Sequence, residues 1–494
     1  MITHEQKIEE AQQEIMNKRA EVLQHQWRLH YHVMPQANWM NDPNGFCLFN
    51  GEYHLFYQHH PFTPEWGPMY WGHVKSKDLV YWEHQPIALA PSEDYDVDGC
   101  FSGSAIEVDG KLYLMYTGNR WTGENQEVDL KQVQCLAVSE DGLHFTKLEQ
   151  NPVISEAPAG DIHPFHFRDP KVWKEAEHYY CVLGSQTRER VGQVLLYRSV
   201  DLISWEFVNI MAKGEGNMGY MWECPDVFTL GDKNCMVMSP QGVVPEGEKY
   251  LNLHQAAFLL GDLDLEKGTL AYQEMELLDY GFDFYAPQTT VDKQGRRVLV
   301  AWMTMWESEM PEQEFNWAGA MSLPRVLNLQ NGQLIQQPLP ELESLRYDHV
   351  QYANEPLQNN TSFKGVSGNC LELKVVFDAK EATTFGLKVH LDKELGEETV
   401  FTYLVDEQAF CLNREKSGSG PGGIRKVPLA LRDGKLELQL FLDKSSVEVF
   451  LQNGEKVMTA RIYPNKNSKA IEFFSDEVIE LVELNKWSLR ESIN

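Results

Sequence analysis

No Cys-x-x-Cys pair occurs in the sequence, and its eight cysteines (47, 100, 135, 181, 224, 235, 370 and 411) are never closer than eleven residues. That spacing excludes a zinc ribbon, a dithiol redox motif and the dense disulfide framework of a small secreted domain. The thiols read as reduced and mostly buried. No apolar run reaches the ~18 residues of a membrane-spanning helix. The first residues, Met1-Ile-Thr-His-Glu-Gln-Lys-Ile-Glu-Glu, are charged where a secretory signal carries its apolar stretch. A cytoplasmic protein with no membrane partner is therefore expected. Basic charge is scarce too: 43 Lys+Arg against 73 Asp+Glu give a formal charge of −30, which argues against nucleic acid as a partner. What is plentiful is aromatic, 11% of 494 residues with 13 Trp. Such rings suit sugar faces and β cores alike, so composition leaves the choice open.

At ~150 residues per domain the length implies two or three domains unless a repeat absorbs it. Residues 1–30 form an N-terminal extension whose Glu, Gln, Lys and Ala content, with Ile8, Ile15, Val22 and Leu23 spaced along one face, predicts a helix over 3–28. Beyond it a repeat emerges. Ser76-Lys-Asp-Leu-Val-Tyr-Trp82 recurs at Ser139–Phe145 and Ser199–Trp205. A second series, a polar turn feeding a buried strand, starts at Gly51, Gly110, Glu177, Lys233 and Arg296. Five hairpin-containing units of about 60 residues, each needing a neighbour to cover its faces, predict an all-β fold built on a five-bladed β-propeller over 31–335. The stretch 336–354 reads as a linker. From 355 to 494 the period-two strands Leu371–Phe377, Leu436–Leu442 and Ser446–Leu451 predict a C-terminal β-sandwich, which would buttress the propeller or mediate a homodimer.

The repeat also places chemistry. Eight to eleven residues before the second strand of each unit, at the entry to the first strand, stand Asp42, Ser102, Asp169, Glu223 and Tyr285, and in a propeller such positions converge at one end of the axis. Three are carboxylates, and like charges in one funnel raise one another's pKa. That separates a protonated acid from an ionised partner, as glycoside hydrolysis requires. Turn capping, the role expected of Asp78, Asp141 and Asp201, is one alternative reading of the trio, and calcium ligation is another. The latter is weakened by the absence of an Asp-x-Asp-x-Asp-Gly loop. Gly214-Glu-Gly-Asn-Met-Gly219 fits a dinucleotide fingerprint literally but leads into Tyr-Met-Trp-Glu rather than a helix. His163-Pro-Phe-His166 and His30-Tyr-His32 read as structural, and neither a metal nor a cofactor is expected.

Trp39-Met-Asn-Asp-Pro-Asn-Gly45, Phe101-Ser-Gly-Ser104, Arg168-Asp-Pro170 and Trp222-Glu-Cys224 occur in that order and together resemble the signature of glycoside hydrolase family 32, the invertases and sucrose-6-phosphate hydrolases. The resemblance runs from about residue 27 to the C-terminus and implies the same propeller and sandwich. It implies a retaining β-fructofuranosidase with Asp42 as nucleophile, Glu223 as acid/base and Asp169 as transition-state stabiliser. Arg168 stands beside Asp169 as a hydrogen-bonding partner. Asn41, Gln58, Trp66, Phe101, Ser102, Tyr285 and Trp306 match substrate-contact positions, and Trp39 is a further sugar-facing candidate. Cys224 reads as a packed thiol beside the acid. The implied partner is a small sugar: sucrose 6-phosphate, sucrose or a short fructan. A non-catalytic sugar-binding propeller, which would lack one acid, is the competing class.

Overall fold

The computed structural model describes residues 3–493. Thr3 caps a helix, His4–Val22, through a reciprocal capping box with Gln6. The helix is shorter than the expected 3–28; Leu23 already serves as its C-cap. Ala11, Ile15 and Val22 are buried against the body, and Lys18 Nζ donates to Phe62 O (2.7 Å) and Asn38 Oδ1 (3.1 Å).

Five antiparallel sheets follow. Blade I comprises Asn38–Phe49, Glu52–His60, Tyr70–Ser76 and Trp82–His84, with Trp317–Ala318 added in parallel to its first strand. Blade II comprises Gly99–Val108, Lys111–Trp121, Leu130–Ser139 and Thr146–Lys147. Blade III comprises Phe167–Glu175, His178–Gln186, Gly192–Ser199 and Trp205–Lys213. Blade IV is built on Met221–Leu230, Lys233–Gln241, Ala257–Asp264 and Thr269–Tyr272. Blade V takes Tyr285–Val291, Arg297–Trp302, Arg325–Gln330 and Gln333–Pro338. The five second strands are the turn-strand series of the sequence. They are buried almost end to end because a blade has neighbours on both faces.

The apolar clusters close the ring. Phe56 and Trp71 of blade I pack with Leu112 and Tyr116 of blade II, and Leu136 packs with Cys181 and Leu183 of blade III. Val182 and Val194 meet Trp222 and Met236 of blade IV, and Cys235 and Val237 meet Leu299 and Leu327 of blade V. Val298 and Val300 return to Leu55 and Val74 of blade I, where the N-terminal helix joins. The aromatic excess is spent largely on these seams. The Ser-x-Asp repeat is one turn used three times. Asp78, Asp141 and Asp201 each accept two backbone N–H groups, while Ser76, Ser139 and Ser199 accept a third.

The expected linker at 336–354 is not one. Its first residues finish the outer strand of blade V (Gln333–Pro338), Pro340–Leu345 makes a single 3-10 turn, and Arg346–Thr361 is already a sixteen-residue strand. The prolines that suggest a linker fall at the end of one strand and the start of the 3-10 turn, where their missing N–H costs nothing. That long strand runs beside another, Ala470–Leu489, whose first part pairs with Thr384–Asp392 and whose second part pairs with Leu371–Asp378. A strand serving both layers makes one sandwich from two sheets, filled by Leu373, Val375, Phe385, Leu387, Phe401 and Phe473. Propeller and sandwich meet through an intimate seam. Tyr280 and Phe282 donate their N–H groups to Val457 and Thr459, and a side chain on Gly281 would strike Thr459 O at 2.1 Å.

Candidate active site

Every blade has a β-bulge in its first strand, and each bulge falls at or beside a residue expected in the site. Pairing skips between Met40 and Pro43, Phe101 and Gly103, Arg168 and the Val182 partner Lys171, Glu223 and Asp226, and Tyr285 and Gln288. A bulge leaves residues unpaired and re-aims their side chains. Pro43, Pro170, Pro225 and Pro287 sit in or against these interruptions, where no ladder N–H is missed. Asp169, Cys224 and Ala286 hold left-handed backbone (φ 63°, 48° and 52°), an arrangement that costs ~1 kcal/mol or more each and clusters at working sites.

Aligning the blades on these prolines corrects the simple equivalence expected from the repeat. Asp42 and Asp169 correspond to Cys224 and Ala286, whereas Glu223 and Tyr285 stand one residue earlier, with Asn41 and Arg168. The contacts follow these two tiers. In the first, Ser102 Oγ donates to Asp42 Oδ2 (2.7 Å), and Cys224 Sγ lies 3.5 Å from the same oxygen and 3.7 Å from Asp169 Oδ2. The Cys224 N–H donates to Asp169 Oδ2 (2.9 Å). In the second, Arg168 Nε and Nη2 donate to Glu223 Oε1 (3.0 and 2.7 Å), while Tyr285 OH and Gln241 Nε2 donate to Oε2 (2.6 and 3.0 Å). Gly184, opposite Arg168, permits the approach: a Cβ there would lie 2.1 Å from Trp222 O. The first tier is deeper: Asp42 and Asp169 are buried, whereas Glu223 is only partly so.

These surroundings drive the acids apart. Burial, then the charge of Glu223, pushes Asp42 up to about 6 despite the donors from Ser102, Asn41 and Cys224. Burial and Glu223 push Asp169 up to about 7. Burial would raise Glu223 as well, but the Arg168 guanidinium and the Tyr285 hydroxyl outweigh it and hold that carboxyl below the ordinary range. Near neutrality the trio therefore shares a proton rather than carrying three charges.

The carboxylates open into a cavity of about 460 Å³, of the size that takes a small ligand. Asn41, Gln58, Trp66, Phe101, Ser102, Arg168 and Trp306 line it with the acids. Two expected sugar contacts do not. Trp39 is buried behind the wall, donating through Nε1 to Asn41 Oδ1 (2.7 Å) and stacking on Trp306 at 6.0 Å. Tyr285 is fully buried, its hydroxyl spent on Glu223. Both hold residues that face the cavity. Conversely, His163 and His166, read from sequence as structural, line the wall. Arg168 Nη1 donates to His166 Nδ1 (3.1 Å), and His166 Nε2 donates to Glu127 O (2.7 Å). Nothing in the repeat marks Gln241, Tyr220, Arg190 and His254, which line the cavity from strand ends and loops. Only the parallel position of Gln186 and Gln241, each closing a second strand, carried a signal. Among the described residues no cluster of His, Cys, Asp and Glu has a metal-holding arrangement, and no helix is long and apolar enough to cross a membrane.

Three carboxylates converging in a partly aromatic cavity at one end of a propeller are the arrangement of a glycoside hydrolase. Residues 32–338 match the glycosyl hydrolases family 32 N-terminal domain and residues 341–488 the family 32 C-terminal domain, so the chain belongs to glycosyl hydrolase family 32. It is similar to a sucrose-6-phosphate hydrolase of Escherichia coli, 41% identical over 92% of this chain and 93% of the relative. It is also similar to a raffinose invertase of E. coli, 40% identical over 91% and 92%. A β-fructofuranosidase mutant of Bombyx mori, solved in complex with sucrose, shares the fold at a TM-score of 0.87 with 37% identity, covering 98% of each chain.

Proposed function

We propose that this chain is a retaining β-fructofuranosidase that hydrolyses the terminal β-D-fructofuranosyl bond of sucrose 6-phosphate and sucrose inside the cell. One observation carries the reading: Asp42, Asp169 and Glu223, the acids of the family motifs, meet in one cavity. Asp42 is the nucleophile. Ser102 and Cys224 both engage Oδ2, which leaves Oδ1, held by Asn41 at 3.1 Å, the freer oxygen to bond the anomeric carbon. As that bond forms, Glu223 gives its proton to the departing glucosyl oxygen. Glu223 then takes a proton from water, the water oxygen bonds the anomeric carbon, and the Asp42 ester is released. Asp169 binds fructosyl hydroxyls as charge develops.

The acid role needs the shared proton on Glu223 once sugar is bound. Glu223 is the most exposed of the three, so a docked sugar strips the most hydration from it and raises its pKa the most. The intracellular assignment rests on the phosphorylated substrate named for relatives such as the E. coli sucrose-6-phosphate hydrolase. A fructo-oligosaccharide exo-hydrolase would share all three acids and differ only at the cavity rim. Product analysis with sucrose 6-phosphate, sucrose, kestose and inulin tests the reading. Release of fructose from the first two at rates well above the polymer supports it, and faster hydrolysis of inulin overturns it.

A further inference from the structure

Among the described residues, the cavity wall holds two basic side chains of the Lys/Arg type, Arg168 and Arg190. Arg168 is spent: Nε and Nη2 bind Glu223 and Nη1 binds His166. Arg190 is not. Its one ion pair, to Glu127 Oε2, is long (3.4 Å) and solvent-washed at both ends, so it is worth little and is easily exchanged. Yet the side chain is oriented. Its guanidinium lies 4.6 Å from the centre of the Tyr220 ring. Its backbone is left-handed (φ 63°) in the tight turn Thr187–Val191, closed by Val191 N to Thr187 Oγ1 (3.0 Å) and Arg190 N to Thr187 O (3.1 Å). An arginine kept where glycine or asparagine would be at ease points to use of the side chain. Beside it His163 Nδ1 accepts from Phe165 N (3.3 Å), which leaves Nε2 as the protonated donor on the cavity wall.

We propose that Arg190, with His163 beside it, forms an anion subsite that takes the phosphate monoester of the departing sugar and sets the preference for a phosphorylated substrate. The subsite rests on the assignment above, because Tyr220 and Gln241 join it to Glu223, the group that meets the leaving oxygen. Arginine's planar fork suits a phosphate dianion bidentately, and Glu127 is the internal anion that the phosphate displaces.

The test compares kcat/KM for sucrose 6-phosphate and sucrose in wild type, Arg190→Gln and Glu127→Gln. Calorimetry of glucose 6-phosphate, glucose and inorganic phosphate binding runs alongside. Arg190→Gln is expected to lower the phosphorylated-to-plain ratio about 10-fold or more, through KM, and to abolish the advantage of glucose 6-phosphate over glucose. Glu127→Gln is expected to raise the ratio. An unchanged ratio and unchanged glucose 6-phosphate affinity in Arg190→Gln overturn the subsite while leaving the hydrolase intact, and so does inorganic phosphate binding as tightly as glucose 6-phosphate. Arg190-dependent binding of glucose 6-phosphate in a protein that cleaves neither sugar would uphold the subsite and sink the catalytic reading instead.

Discussion

In the funnel, Asp42, Asp169 and Glu223 have one arginine among them, Arg168. Between propeller and sandwich the chain buries more acid, but there each group has its counterpart. Arg325 pairs with Glu448 (2.8 Å) and Asp279 (3.0 Å), Arg414 with Asp283 (2.5 Å) and Arg461 with Glu312 (3.0 Å). His32 bridges Asp443 (2.7 Å) and Glu448 (3.1 Å). In the funnel the carboxyls Asp42 and Asp169 are pushed up. At the seam, despite burial, hydrogen bonds from His32 hold Asp443 and Glu448 below their ordinary range, with Arg325 adding to the effect on Glu448, whereas burial still raises Asp279 in spite of its pairing with Arg325. Ion pairs tie the two domains together at the seam, whereas in the funnel Asp42 and Asp169 have no cation of their own, since Arg168 is bound to Glu223.

The comparison breaks most visibly if an acid is neutralised in each place. Asp42→Asn or Glu223→Gln is expected to lower kcat by ~10³ or more, while melting temperature holds or rises as like-charge repulsion is relieved. Steady-state kinetics and calorimetry on the same samples check both halves. At the seam, Arg325→Met or Glu448→Gln leaves a buried charge unmatched and is expected to cost ~3–5 kcal/mol of stability in denaturant titration. A kcat near wild type is expected in the molecules that remain folded.

A smaller effect sharpens the funnel's side of the contrast. Kcat/KM is expected to fall below pH about 6, as Asp42 takes up a proton, and again above about 7, as the shared proton is lost. Arg168→Leu removes the cation that holds Glu223 down, so besides its loss of rate the alkaline limb should move to higher pH. A limb that stays put would separate Arg168 from the proton inventory.

The seam's pH response has the opposite origin. Burial lowers the affinity of His32 for its proton, but the hydrogen bonds to Asp443 and Glu448 raise its pKa to about 9. A histidine raised above its unfolded value near 6.5 contributes stability that is fully present below that value and lost as pH climbs through the folded one. Denaturation midpoints should therefore fall between pH about 6.5 and 9 by the equivalent of up to about 3 kcal/mol. His32→Gln should flatten that slope.

The propeller was legible because its cues are local: a Ser-x-Asp turn binds its own next residues, and each second strand is a polar turn feeding a mostly apolar run. The three acids were legible because each precedes or nearly precedes a proline at a bulge. Their division into two tiers was not, since the one-residue offset of Glu223 and Tyr285 matters only once strands pair and bulge. The linker misreading has the same root, in that prolines ahead of and at the start of a short 3-10 helix look like an interdomain tether. The seam was invisible, because His32 and Asp443 lie 411 residues apart and no pattern announces their meeting. His163 and His166 were read as structural because their spacing suits no metal, although an imidazole can line a wall without one.

The central claim is that Asp42 forms a bond to the sugar and Glu223 makes and breaks it by moving one proton. The most direct measurement is sucrose turnover in aqueous methanol, with the anomeric configuration of the methyl fructofuranoside read by NMR before mutarotation of free fructose intervenes. The β-methyl fructofuranoside, retained from sucrose, is the result this structure predicts. The α-anomer as the initial product would mean a single displacement by the acceptor, and Asp42 could not then be the nucleophile.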